Sequence, residues 1–161
     1  MKALALIAFL IPASVIAADD ANLLKPTNKT ESWNFEQHEG GKGEMKAVDD
    51  AIVFTTTEVD GTNWHVQVYQ LDLDLKEGAQ YVVSFEAKAE KPQSARLEAS
   101  IGQEDWHGIG LSEELFLTKD YKKQEFTFRA SGVAEKKNRI GFMLGDNKGV
   151  VSVKNMTLKA K

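Results

Sequence analysis

Three tryptophans stand in polar surroundings instead of inside apolar runs: Trp33 in Glu-Ser-Trp-Asn, Trp64 in Thr-Asn-Trp-His and Trp106 in Glu-Asp-Trp-His. An indole at the rim of a polar groove can stack on the weakly polarised C–H face of a sugar ring, while nearby amide, guanidinium and carboxylate groups bond the ring hydroxyls. The other role open to each indole is to plug an end of the folded core. Trp33 is assigned to that role, Trp64 is left open between the two, and Trp106 is the best stacking candidate.

Other chemistry is sparse. The histidines, His38, His65 and His107, show neither the His-x-His nor the His-x-x-x-His spacing that puts two imidazoles on one metal. No Gly-x-Ser-x-Gly motif offers a serine nucleophile, and Gly108-Ile-Gly110 is too short and wrongly placed for a dinucleotide loop. Glycoside cleavage needs two carboxylates across one bond, at ~5–5.5 Å or ~6.5–9.5 Å. Glu86, Glu98, Glu104 and Asp105 are the acids to consider, and with 24 acidic residues in the chain solvated strand faces account for them.

These residues belong to a chain of 161 residues, 42% hydrophobic and 27% charged, which suits one globular domain. The net charge of −4 and the dispersal of Lys and Arg among acids exclude the basic stripe of a nucleic-acid binder. Lys2 precedes the apolar run Ala3–Ile11, too short to cross a ~30 Å hydrocarbon core and fitting a secretory signal. Val15 and Ala17 supply the small residues of a cleavage site, so residues 1–17 are read as a signal peptide and 18–161 as the domain, secreted or periplasmic. Without cysteine there is no disulfide and no lipid-modified anchor, and stability must come from the core.

The elements that position the candidates are strands. Tyr81, Val83, Phe85 and Ala87 alternate with Ser84, Glu86 and Lys88, the period of a half-buried strand. The same alternation runs through Ala95–Ile101, Phe126–Arg129 and Ile140–Leu144, and Val53–Thr57, Trp64–Leu75 and Val150–Leu158 supply further strands. The apolar phase within Trp64–Leu75 changes from even to odd positions, which predicts a bulge near Tyr69–Gln70. Turn residues separate these runs at Gly40-Gly41, Asp60-Gly61, Glu77-Gly78, Lys91-Pro92, Ser131-Gly132 and Asp146–Gly149. Only Ser112–Leu115 reads as a helical turn. The pattern predicts an all-β fold, a two-sheet β-sandwich jelly roll.

The order of motifs is familiar: Asn22-Leu-Leu, Trp33, Gly61-Thr-Asn-Trp-His-Val-Gln67, Leu75 through Ala89, Leu117-Thr118 before Tyr121, Phe142-Met-Leu-Gly-Asp146 and Val153 through Leu158. Over essentially the whole of 18–161 the chain resembles the carbohydrate-binding modules of the family four, nine and twenty-two group, found attached to cellulases and xylanases. The resemblance implies a galactose-binding-like jelly roll whose concave sheet or loop rim binds glycan chains or chain ends. Carried over residue by residue, it implies stacking by Trp64 and Trp106 and hydrogen bonds from Gln67, Arg96, Glu98 and His107, with Arg129 on the other sheet. Arg96 and Glu98, two apart on one strand face, have the alternative of pairing with cross-strand charges.

Members of that group often carry Asp-Asn or Asp-Asp in the final strand, helping hold a structural calcium; here the pair is Lys154-Asn155, whose ammonium repels Ca²⁺. No cofactor is therefore expected, although Asn22, Asn155 and backbone carbonyls remain as a weak site. The expected partner is a glycan chain, held by a monomer that works beside a separate glycan-degrading enzyme, with no nucleic acid and no membrane anchor. Two other classes compete: a secreted structural or protein-interaction sandwich, and a small glycan-cleaving jelly roll.

Overall fold

Where side chains alternate in the sequence, they alternate in space. Tyr81, Val83, Phe85, Ala87 and Ala89 are all buried along one face of a single strand, Gln80–Ala89. The computed structural model describes residues 21–161, and the segment read as a signal peptide lies outside them. Ten strands follow in order: β1 Asn34–Gln37, β2 Lys42–Val48, β3 Ala51–Glu58, β4 Val66–Leu73, β5 Gln80–Ala89, β6 Gln93–Ile101, β7 Gly108–Leu117, β8 Lys122–Arg129, β9 Asn138–Met143 and β10 Gly149–Ala160. They form two antiparallel five-stranded sheets, ordered β1-β4-β9-β6-β7 and β2-β3-β10-β5-β8. The expected two-sheet sandwich is the observed fold.

The inner faces meet in an aromatic centre. Phe142 on β9 lies 5.4 Å from Phe85 at an interplanar angle of 82°, 6.2 Å from Phe54 and 6.3 Å from Trp33, so one ring touches both sheets and the cap above them. Trp33 follows the 3₁₀ turn Thr30–Ser32, is buried, and its Nε1 donates to the Thr27 carbonyl at 3.0 Å, which satisfies the indole inside the core. Trp33 is the plug it was expected to be. Beyond it the backbone amide of Leu23 donates to the Leu158 carbonyl at 2.8 Å, so the start of the domain lies against the end of β10.

Three local expectations change. Ser112–Leu115 is no helical turn but part of β7. Leu111, Leu115 and Leu117 are buried at odd positions, and pairing of Glu114 with Arg96 and Ser112 with Glu98 outweighs the helical preference of the glutamates. The irregularity in β4 falls between Gln70 and Leu73, two residues later than expected, with Asp72 in the left-handed region at φ 67°. Gln70 stays inward and fully buried because its amide clasps Lys25, accepting from that residue's N–H at 2.9 Å and donating to its carbonyl at 3.2 Å. Trp64, expected inside a strand, lies on the 3₁₀ turn Asn63–His65 immediately before β4.

Candidate functional site

The outer face of the β1-β4-β9-β6-β7 sheet carries the site. Antiparallel register aligns Glu36, Gln67, Met143, Arg96 and Glu114 in one row across the five strands, and Tyr69, Gly141, Glu98 and Ser112 in the next. Successive residues of a strand point to opposite faces, so the inward pair Ile140 and Phe142 fixes Arg139, Gly141 and Met143 outward. Gly141 sits at the centre of this floor for a steric reason. A Cβ there would come within 2.5 Å of the Tyr69 Cβ, and its absence lets the phenol lie across the sheet.

Glu36 organises the floor. Its Oε1 accepts a short hydrogen bond from the Tyr69 hydroxyl, and its Oε2 takes the Gln67 amide at 3.0 Å and contacts His38 Nε2 at 3.2 Å. Burial, and then the Glu36 carboxylate beside it, push the Tyr69 pKa up to about 12, so the phenol stays a hydrogen-bond donor well into the alkaline range. Across the same ring lies the Arg139 guanidinium, 4.6 Å from the Tyr69 centroid and 5.2 Å from that of Trp106, with Nε donating to Ser100 Oγ at 2.8 Å. Asn138, fully buried, anchors the preceding loop through Ala134 and the Leu73 carbonyl and so fixes where Arg139 begins.

Two exposed indoles form the walls. Trp64 is 45% and Trp106 53% exposed, the reverse of Trp33, and both border a groove of about 420 Å³ whose floor includes Glu36, Gln67, Glu98 and Arg139. Trp64 is held edge-on against His65, centroids 4.1 Å apart, and leans on His38 at 5.3 Å. Its turn is clamped from below: Asp60 accepts from the Gly40 and Thr62 amides and meets His65 Nδ1 at 2.6 Å, while His65 chiefly draws the Asp60 pKa down. Gly145 lets that turn approach, since a Cβ there would lie 2.4 Å from the Thr62 carbonyl oxygen. Trp106, at φ 62° in the loop between β6 and β7, donates its amide to Gln103 at 2.7 Å.

The structure therefore brings together four of the residues singled out from sequence: Trp64, Gln67, Glu98 and Trp106. Arg96 lies on the same sheet face, where Nη1 donates to Ser112 Oγ at 3.0 Å, beside the groove lining. Arg129 is on the opposite sheet, donating to the Gly78 carbonyl. The lining residues that sequence reading missed are Glu36, His38, Arg139 and Met143, with Tyr69 beneath them. The outward phase of Ile140–Leu144 was a usable signal for Arg139 and Met143; Glu36 and His38 offered none.

His107 faces away from this groove. Its Nδ1 meets Asp105 at 2.6 Å and its Nε2 meets the Gly132 carbonyl at 2.7 Å, so it ties the Trp106 loop to the turn after β8. Both partners are acceptors, and an imidazolium satisfies both at once. The Gly132 carbonyl first, then Asp105, hold His107 above its ordinary 6.5, and His107 in turn holds Asp105 below its ordinary 3.8. The contribution of His107 to folding is thus complete below 6.5 and lost as pH rises through its higher folded value; that of Asp105 is complete above 3.8 and lost as pH falls through its lower one. The tie is strongest between those limits. An NMR titration of the imidazole should give a midpoint above 6.5, moving down in Asp105→Asn. A wild-type midpoint at or below that value contradicts the bridge.

The residues considered for calcium do not fit one. Asn22 Oδ1 already accepts from the Leu24 and Leu158 amides at 3.2 and 2.9 Å, and Asn155 donates to Glu86 at 2.9 Å. The Lys154 ammonium lies 3.5 Å from Asp50, 3.8 Å from Glu86 and 4.6 Å from the Tyr121 ring centroid, a cation already among those groups.

The carbohydrate binding domain family CBM_4_9 matches residues 21–149. The chain belongs to that family. Among solved structures the domain superposes on a CBM4 domain with a TM-score of 0.75 at 21% identity, covering 88% of this chain and 96% of that one. The N-terminal cellulose-binding domain of Cellulomonas fimi β-1,4-glucanase C gives 0.68 at 17% identity, covering 88% and 98%. A family 11 carbohydrate-binding module from Clostridium thermocellum, in complex with a β-1,3-1,4-mixed-linked tetrasaccharide, gives 0.62 at 17%, covering 86% and 94%. At these identities the likeness is one of fold. No curated protein matches the sequence. The family and the jelly roll expected from the order of motifs both hold for this domain.

Proposed function

We propose that the domain binds a glycan chain in the groove bordered by Trp64 and Trp106, without cleaving it. The observation that carries this reading is the pairing of two half-exposed indoles with a floor of fixed hydrogen-bonding groups in one groove. Indole faces take the C–H faces of sugar rings, Glu98 and the free side-chain carbonyl of Gln67 accept from hydroxyls, and Arg139 donates to ring or hydroxyl oxygens. Glu36 is held by the Tyr69 hydroxyl and the Gln67 amide and contacts His38, an arrangement suited to orienting the floor and poorly suited to activating water. His107 serves by positioning the Trp106 loop, and Arg96 by extending the polar face towards β7. The Lys2–Ala17 segment adds the proposal that binding takes place outside the cytoplasm, alongside separate glycan-degrading enzymes.

The test is a screen of soluble polysaccharides by affinity electrophoresis together with a reducing-sugar assay. Retention by at least one glycan with no release of reducing ends is expected. Release of reducing ends makes the protein an enzyme, and absence of retention across neutral and acidic glycans returns it to the class of protein-interaction sandwiches.

A further inference from the structure

Arg139 is 8% exposed, yet it is the one strongly basic side chain in the groove lining and makes no ion pair with a carboxylate among the described residues. Among the described residues the ion pairs are made by lysines and histidines: Lys42, Lys76, Lys123 and Lys154 with acids, and His38, His65 and His107 with theirs. The guanidinium is held instead between two aromatic rings, by a hydrogen bond from Nε to Ser100 and by a hydrogen bond to the Tyr69 hydroxyl. That arrangement fixes the plane of the fork and leaves it, at the lining of the groove, without an anion. A cation removed from water is costly unless paired. The nearby carboxylates are otherwise engaged: Glu36 is occupied by the Tyr69 hydroxyl and the Gln67 amide, and Glu98 turns Oε1 towards Ser112 Oγ at 3.4 Å.

We infer that the groove selects a glycan bearing a carboxylate, a uronic acid unit whose carboxyl group is taken bidentately by Arg139. This rests on the groove being a glycan site. A planar guanidinium matches the two oxygens of a carboxylate in a way that a hydroxyl cannot. Glu98 and the Gln67 carbonyl, as acceptors, then take the hydroxyls of the same or neighbouring sugars. The net charge of −4 sets the density of acid groups: a continuous polyuronate is repelled by the protein as a whole, whereas a neutral chain with isolated uronic acid side groups places one anion on the arginine of the groove lining. Trp106, in contact with the same guanidinium, stacks on the sugar next to it.

The experiment offers the full chain a panel of soluble β-linked glycans carrying uronic acid side groups in two forms: native, and with the carboxyl groups chemically reduced to primary alcohols. Unsubstituted chains of the same backbones complete the panel. The native form should bind at least about tenfold more tightly than its reduced form, as a charge-assisted contact requires. Rising salt should narrow the gap, Arg139→Gln should abolish it, and Arg139→Lys, a point charge without the fork, should restore only part. Equal binding of native and reduced forms by the wild-type chain overturns the inference and leaves glycan binding intact, as does a folded Arg139→Gln that keeps the preference. A chain that binds no member in any form overturns both. The wild-type comparison decides the matter even if neither variant folds.

Discussion

Trp106→Ala should weaken glycan binding about thirtyfold or more while leaving the melting temperature nearly unchanged. The indole is 53% exposed, so its removal opens no core cavity, but it takes away a whole wall of the groove and one of the two rings that hold Arg139. Loss of a binding hot-spot aromatic costs about 2 kcal/mol or more, which is about thirtyfold in affinity. Because the residue sits at φ 62°, alanine inherits a conformation that L side chains resist, and Trp106→Gly separates the two effects. Glycine removes the ring and the backbone strain together. Calorimetric titration against the tightest glycan, paired with thermal melts, should show both variants equally defective in binding. Unchanged affinity in either would remove Trp106 from the site.

Phe142→Ala should do the opposite. Its ring meets Phe85, Phe54 and Trp33 between the sheets, where no neighbour can collapse into the vacated space without pulling the sandwich together. Truncating such a buried phenylalanine costs about 3–5 kcal/mol. At about 2–4 °C per kcal/mol for a protein near this size, the melt should fall by about 6–20 °C, with little change in glycan affinity well below the transition. A fall of less than about 3 °C, corresponding to roughly 1 kcal/mol, would mean that the core repacks freely around the loss. Phe142 and the groove residue Met143 are adjacent in the chain yet point to opposite faces, so the pair of measurements tests the assignment of faces directly.

What was legible in the sequence follows from how each strand is buried. β5, β6, β9 and β10 have one face in the core, and their alternation is plain from Tyr81 to Ala89, Ala95 to Ile101 and onwards. β1 and β2 are short or mostly exposed edge strands, in which Asn-Phe-Glu-Gln and Lys-Gly-Glu-Met-Lys carry almost no apolar period, so the sequence marks no strand there. Glu36 and His38 went unseen for that reason. Tyr69 was hidden differently: it lies in a strand whose phase shift drew attention to itself, while the actual irregularity sits at Leu71–Asp72. Tryptophans betray themselves by polar neighbours, and so two of the groove's most exposed residues were readable. The outward phase of β9 marks the face of Arg139, but nothing in Asn-Arg-Ile-Gly announces that the acids sharing its groove, Glu36 and Glu98, will be engaged by other groups.

The hydrogen bond from Leu23 to Leu158 bears on how the domain can be mounted. It brings the two ends of the sandwich together beside β10, a strand of the sheet opposite the groove. A linker at either end, or the flanks of a host chain into which the domain is spliced, would depart from the rear. Surface immobilisation through a terminal tag should therefore leave Trp64 and Trp106 facing solution, and two copies joined in tandem would present their grooves independently, able to grip one long polymer at separate points.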